Sequence, residues 1–211
     1  TDGQGLIQLY HYDSLFETVH TSHPVRCFCE DEDGNILIGT KGSGIKLLNP
    51  ATKELTDYLN ESKGLISNSV YALRRNKAND IFIGTEGTGI NILNAATGQL
   101  EKLEIPDKYP PFKAVYNIYF TNNDSLLWVG TSGYGLIKIN ISREQGRYHV
   151  KGFRQYNSSD KNISLNNDVV YAITSDPEDN MLWFGTRGGG LNCINMKDNS
   201  IKSLEDMDSR I

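Results

Sequence analysis

The sequence predicts an all-β chain assembled from the blades of a β-propeller. Three observations lead there. A Gly-Thr-x-Gly-x-Gly motif occurs at Gly39, Gly84, Gly130 and Gly185, and the chain opens inside a further copy, Thr1-Asp2-Gly3-Gln4-Gly5. The motif threonines Thr1, Thr40, Thr85, Thr131 and Thr186 lie 39, 45, 46 and 55 residues apart. Each interval holds four short segments rich in β-branched and aromatic residues, bounded by Gly, Asn, Asp or Ser. Four strands in about 45 residues, in tandem, is the period of a four-stranded antiparallel propeller blade, and no window shows sustained helical periodicity.

The segments take the same order in every copy. Strand A covers 25–28, 70–73, 115–118 and 170–173, each opening on Val. An Asp- and Asn-rich A–B turn follows, at 31–34, 76–80, 121–125 and 176–180; such side chains bond nearby backbone and tolerate left-handed conformations. Strand B is 36–38, 81–83, 127–129 and 182–184, directly before Gly-Thr. Strand C is 45–49, 90–94, 136–140 and 191–195, and its terminal Asn49, Asn94, Asn140 and Asn195 are expected to start the C–D turn. Strand D is 55–58, 100–103 and 153–156. The predicted blades are therefore 25–60, 69–105, 114–157 and 169–205, preceded in 1–20 by strands C and D of a truncated blade. This is an incomplete propeller, four full blades plus a partial one. Residues 207–211 resemble the approach to another strand A, so the ends are not expected to close a ring, and unpaired sheet edges are left to invite association.

Composition narrows the function classes. The chain has 211 residues, 38% hydrophobic and 22% charged, with a formal net charge of −5. That balance argues against disorder and, being acidic, against a nucleic-acid surface. Arg74, Arg75 and Lys77 read as a solvated turn. No apolar run reaches the roughly 18 residues of a membrane helix, and the first residues show no signal-peptide pattern. Cys27, Cys29 and Cys193 are an odd count without zinc-site spacing. Cys27 and Cys29 share one strand face, where a bridge would be strained, so all three read as free thiols. No metal or cofactor is expected.

A single Gly-x-x-Gly-x-Gly suggests nucleotide binding, which requires a helix after the glycines. Here a strand follows each copy. The motif is better read as a B–C hairpin turn, in which glycines supply positive φ and close approach and the threonine hydroxyl bonds turn backbone. Gly39, Thr40, Gly84, Thr85, Gly130, Thr131, Gly185 and Thr186 are its structural residues. Trp128 and Trp183 stand where Leu37 and Phe82 stand in the other copies and read as core between blades, as does Cys193.

Recognition is expected on the face carrying the D–A loops and B–C turns. Within the constant glycine frame the residue after Gly-Thr varies, Lys41, Glu86, Ser132 and Arg187, and so does the residue two further on, Ser43, Thr88, Tyr134 and Gly189. Strand A supplies Arg26, Tyr71, Tyr116 and Tyr171 at one equivalent position. Two readings of that position stand: tyrosines packed between blades with bonded hydroxyls, or a ring of aromatic and guanidinium groups facing a ligand. The candidate ligand-binding residues are Arg26, Lys41, Tyr71, Glu86, Tyr116, Tyr134, Tyr171 and Arg187.

Residues 170–173, Asp179-Asn180-Met181-Leu182-Trp183-Phe184-Gly185-Thr186 and Gly188-Gly189-Gly190-Leu191, with the lead-ins Leu65-Ile66-Ser67-Asn68-Ser69-Val70 and Leu165-Asn166-Asn167-Asp168-Val169-Val170, resemble the two-component regulator propeller repeat. Blade 1 departs from it with Leu37 in place of Trp; blade 2 has Phe82 there and lacks the A–B turn Gly. The resemblance implies the extracytoplasmic sensor region of a hybrid two-component histidine kinase of Bacteroidetes. It implies a periplasmic location, a poly- or oligosaccharide ligand, further blades and domains as partners, and a homodimer at full length. It also implies signalling across the membrane to transcription, with no nucleic acid bound by this segment. Two rivals remain. A propeller lyase or glycosidase would need a carboxylate pair roughly 5–10 Å apart, whereas the B–C turns offer only Glu86 and Asp2 and the D–A loops scattered Glu61, Asp107, Asp160 and Asp168. A protein-interaction scaffold is the other.

Overall fold

The computed structural model describes residues 6–10, 16–160, 165–176, 178 and 180–203. The expectations for residues 1–5 and 207–211, and for Asp179, lie outside them. The chain comprises two compact units, Thr1–Lys102 and Leu103–Ile211.

The first unit holds a two-stranded antiparallel pair, β1 (Leu6–Tyr10) and β2 (Phe16–His20), and two blades. Blade 1 is β3 (Val25–Glu30), β4 (Ile36–Thr40), β5 (Ile45–Leu48) and β6 (Leu55–Leu59). Blade 2 is β7 (Val70–Arg75), β8 (Ile81–Thr85), β9 (Ile90–Leu93) and β10 (Leu100–Lys102). The second unit holds blade 3, β11 (Val115–Thr121), β12 (Leu126–Thr131), β13 (Leu136–Glu144) and β14 (Arg147–Tyr156). It also holds blade 4, β15 (Val170–Asp176), β16 (Met181–Thr186), β17 (Leu191–Asn195) and β18 (Ile201–Ser203). Each blade is an antiparallel meander with strands in sequence order, the four-stranded sheet expected from the repeat.

Burial explains the local patterns. The middle strands are covered on both faces, so β8 is buried along its whole length and reads as a continuous apolar run. The A strand β3 alternates. Between blades 1 and 2, Leu37 and Ile45 meet Val70, Leu73, Ile81 and Ile83, with Cys27 and Cys29 packed alongside. Between blades 3 and 4, Trp128, Leu136 and Tyr156 meet Val170, Ile173, Leu182 and Phe184. Leu65 and Leu165, from the lead-ins, are buried in the two cores.

Three expectations are corrected. Asn49, Asn94 and Asn195 do start C–D turns, accepting from the backbone N–H of Ala51, Thr97 and Lys197. Asn140 does not: β13 passes through it to Glu144, with a register shift at Asn140/Ile141. The blade-3 turn falls at Gln145 and Gly146, with φ of 51° and 82°, the two left-handed residues of a tight hairpin, and strand D begins at Arg147 instead of Phe153. Trp183 is half-buried because it lies on the face of β16 opposite Leu182 and Phe184, which enter the blade-3/blade-4 core. Trp128 is fully buried. Gly87 has no positive φ; its special feature is the approach of Ile66 to where a Cβ would stand. Gly188 is at φ +69° with open space around it.

Candidate functional site

In both units the D–A lead-ins and B–C turns meet on one face. The N–H groups of Gly42 and Gly44 donate to the carbonyl of Asn68, at 3.0 and 2.9 Å; those of Gly133 and Gly135 donate to the carbonyl of Asp168, both at 2.9 Å. The B–C turn of one blade thereby clamps the lead-in of the next. The residue after Gly-Thr extends its own A–B ladder: Lys41, Glu86, Ser132 and Arg187 donate to the carbonyls of Pro24, Ser69, Ala114 and Val169, each at 2.9 Å. Backbone is thus committed at this position while the side chain is not, and Lys41, Glu86 and Arg187 are exposed.

The threonines close the turns. Thr40 Oγ1 donates to the Gly44 carbonyl (2.9 Å) and accepts from Ser43 N–H (3.0 Å). Thr131 Oγ1 donates to the Gly135 carbonyl (2.8 Å) and accepts from Tyr134 N–H (3.1 Å). Thr85 Oγ1 instead accepts from Gly87 N–H at 3.2 Å. Gly44 and Gly135 sit at φ +71° and +74° against the carbonyls of Leu59 and Tyr156, leaving no room for a Cβ.

One feature of the A strands was not legible in the sequence. Every blade has a register shift at the start of strand A, between Val25 and Cys27, Val70 and Ala72, Val115 and Asn117, Val170 and Ala172. The extra residues are Arg26, Tyr71, Tyr116 and Tyr171. A bulge residue has no cross-strand partner, and its side chain is re-aimed by the local bend. In the first unit Arg26 is exposed and Tyr71 half-buried. In the second, the rings of Tyr116 and Tyr171 stack, 5.4 Å between centroids and 14° between planes, and Tyr171 is 50% exposed. Asn117 Nδ2 donates to the Tyr171 carbonyl at 3.4 Å. Leu191 of blade 4 is exposed, and Tyr134 in the blade-3 B–C turn is half-buried, its carbonyl accepting from Gln155 Nε2.

The opposite face carries A–B and C–D turns. In the first unit they line a cleft of about 110 Å³ that includes Asp31, Glu32, Asp33, Tyr58, Asn79 and Asn94. Here Asp31 is used within its own turn, accepting from the N–H groups of Asp33 and Asn35 and from Asn35 Nδ2, and Glu32 accepts from Asn79 Nδ2. Burial first, then the Asp31 charge, raises the Tyr58 phenol. Asp31 thus serves its own turn, and Glu32 ties the blade-1 turn to that of blade 2. Among the described residues no group of three His, Cys, Asp or Glu side chains could hold a metal ion, and no helix is long and apolar enough to cross a membrane.

Residues 21–42, spanning the blade-1 lead-in, β3, β4 and the first part of the B–C turn, match the family model of the two-component regulator propeller. That match is to one repeat, residues 21–42. Solved structures extend the likeness to the whole fold. The extracellular domain of the hybrid two-component system BT3049 from B. thetaiotaomicron superposes with a TM-score of 0.74 at 20% identity, over 97% of this chain and 27% of that one. The extracellular domain of BT4673, from the same organism, gives 0.56 at 20% identity, over 90% and 30%. Virginiamycin B lyase from Staphylococcus aureus gives 0.65 at 16% identity, over 94% and 62%. At these identities the likeness shows the propeller fold, and the chain spans under a third of either extracellular domain. No curated protein matches the chain. Within the regulator propeller repeat, the bulge falls just inside the matched segment, at Arg26.

Proposed function

We propose that this chain is part of the extracytoplasmic, periplasmic sensor region of a hybrid two-component histidine kinase and that it recognises a poly- or oligosaccharide on the face of D–A loops and B–C turns. The observation that supports this most is the bulge repeated in every A strand, which in the second unit presents Tyr116 and Tyr171 as a stacked, half-open pair. The C–H face of a sugar ring is apolar and flat, so it packs on such a ring while its hydroxyls turn to polar groups. Ligand sites generally combine an aromatic floor with a few polar groups in this way, and here Asn117 bonds the Tyr171 carbonyl. Binding then acts on the remaining blades and domains of a homodimeric parent, and through them on a kinase and transcription.

The repeat match and the likeness to extracellular domains of two-component systems support a binding role over catalysis, and Asp31 and Glu32 by the cleft are already hydrogen-bonded. Incubating the chain with a glycan panel, following heat of binding and product together, tests this. Binding of an oligosaccharide that is recovered intact is the expected result. Cleavage or β-elimination of a bound glycan would replace the sensor by an enzyme.

A further inference from the structure

Blade 4 repeats a surface that is covered on blades 1 and 3. On blade 1, Leu37 and Ile45 pack with Leu65 and Val70, which the following lead-in and A strand bring. On blade 3, Trp128 and Leu136 pack in the same way with Leu165 and Val170. The glycine two residues after Leu37 or Trp128 completes each seat: a Cβ on Gly39 would stand 2.9 Å from Val70 Cγ1, and one on Gly130 would stand 3.0 Å from Val170 Cγ1. Backbone adds to this contact, since Gly42 and Gly44 donate to the Asn68 carbonyl and Gly133 and Gly135 to that of Asp168.

Blade 4 has the same groups without the cover. Gly185 pairs with Leu191, and Trp183 lies two residues before it in β16, so the three share one face of the sheet. Trp183 is half-buried where Trp128 is fully buried, and Leu191 is 41% exposed where Ile45 and Leu136 are 0%. No described atom lies within 4 Å of a Cβ on Gly185. The N–H groups of Gly188 and Gly190, which correspond to the clamping donors of blades 1 and 3, have no acceptor among the described residues. The covered copies also specify what fits here. In both, a leucine stands five residues before the valine that opens strand A, and the accepting carbonyl two before it: Leu65, Asn68 and Val70, and Leu165, Asp168 and Val170.

We propose that this face of blade 4 is a docking surface for an extended Leu-x-x-Asn-x-Val or Leu-x-x-Asp-x-Val segment that runs into a β-strand, the lead-in and A strand of a further blade. It rests on reading the chain as part of a larger propeller sensor, and it assigns the surface through which another blade joins. The leucine packs on Trp183 and Leu191, the Asn or Asp carbonyl accepts from Gly188 and Gly190, and the valine sits against Gly185.

The probe is a synthetic peptide of residues 61–75, which holds Leu65, Asn68 and Val70. It is titrated to millimolar concentration into the chain, with no glycan present, and followed by tryptophan emission and calorimetry. The blocking variant is Gly185→Val, which puts a valine side chain where the incoming one would sit. Gly185 has open space and no positive φ, and unchanged melting verifies the fold. The expected result is saturable binding with a blue shift as Trp183 is covered. It should weaken at least tenfold in Gly185→Val, and equally when the peptide carries Leu65→Ala or Val70→Asp. No binding by wild type, or binding unchanged by Gly185→Val or by the altered peptides, would overturn the docking surface. Self-association of wild type that Gly185→Val abolishes, with no peptide bound, would also overturn it by making a second copy the occupant. Each of these failures leaves the glycan reading standing, because no glycan takes part.

Discussion

Replacing Thr131 by Val removes one hydroxyl from a fully buried site and keeps its shape. The hydroxyl donates to the Gly135 carbonyl at 2.8 Å and accepts from Tyr134 N–H at 3.1 Å. The Gly135 carbonyl keeps its bond from Thr131 N–H, at 3.2 Å, so little is lost there. Tyr134 N–H loses its acceptor in a half-buried turn, and an unsatisfied donor costs about 1–3 kcal/mol, with about 1 more for the other bond. The expected destabilisation is therefore about 2–4 kcal/mol. Thr40→Val should match it, since Thr40 makes the same pair of bonds, whereas Thr85→Val, which loses only the bond from Gly87 N–H, should cost about 1 kcal/mol less. Urea unfolding followed by tryptophan fluorescence suits Thr131, which lies in the same strand as Trp128; circular dichroism suits the first-unit variants. Three equal losses, or a Thr131→Val midpoint unchanged from wild type, would refute the claim that this hydroxyl closes the turn.

Two further outcomes follow from the backbone and the thiols. Gly135→Ala must place a Cβ against the Tyr156 carbonyl at positive φ, whereas Gly188→Ala meets positive φ in open space. The left-handed penalty alone is about 1–2 kcal/mol, so in thermal melts Gly188→Ala should cost that amount and Gly135→Ala clearly more; the reverse order would contradict the assigned roles. Burial raises the Cys27 thiol pKa from 9.0 to about 12, although its hydrogen bond with the Gly39 backbone works the other way. Its neutral form favours the fold fully below pH 9, and that contribution is lost as pH rises from about 9 towards 12, because the unfolded thiol ionises first. Between pH 9 and 10, wild type should lose up to about 1.4 kcal/mol more stability than Cys27→Ala; parallel pH profiles in denaturant titrations would contradict it.

Period and composition made the blades legible, because each strand must bury an apolar face and each turn needs Gly, Asn or Asp at set places. The B–C turn was legible for the same reason: Gly44 and Gly135 occupy positions where any side chain meets a carbonyl. What escaped was register. Arg26, Tyr71, Tyr116 and Tyr171 were visible as equivalent residues, but a bulge leaves no compositional trace when the extra residue is a good strand former. The long blade-3 hairpin escaped because Asn140 repeats the residue that ends strand C elsewhere. Gln145-Gly146, between the alternating residues of 141–144 and 147–150, was the signal that could have found it. Trp183 was misplaced by treating equivalent positions as equally covered, when burial depends on the neighbouring blade.

The central claim is that recognition lies on the face of D–A loops and B–C turns. Isothermal titration of an oligosaccharide that the glycan panel shows to bind, with wild type, Tyr171→Ala and Asp33→Ala in parallel, tests it most directly. Tyr171 is half-exposed at the bulge of the second unit, and Asp33 lines the cleft among the A–B and C–D turns of the first. The account predicts at least a tenfold weaker Kd for Tyr171→Ala, about 1.4 kcal/mol, and wild-type affinity for Asp33→Ala. Wild-type affinity in Tyr171→Ala together with lost binding in Asp33→Ala would contradict it.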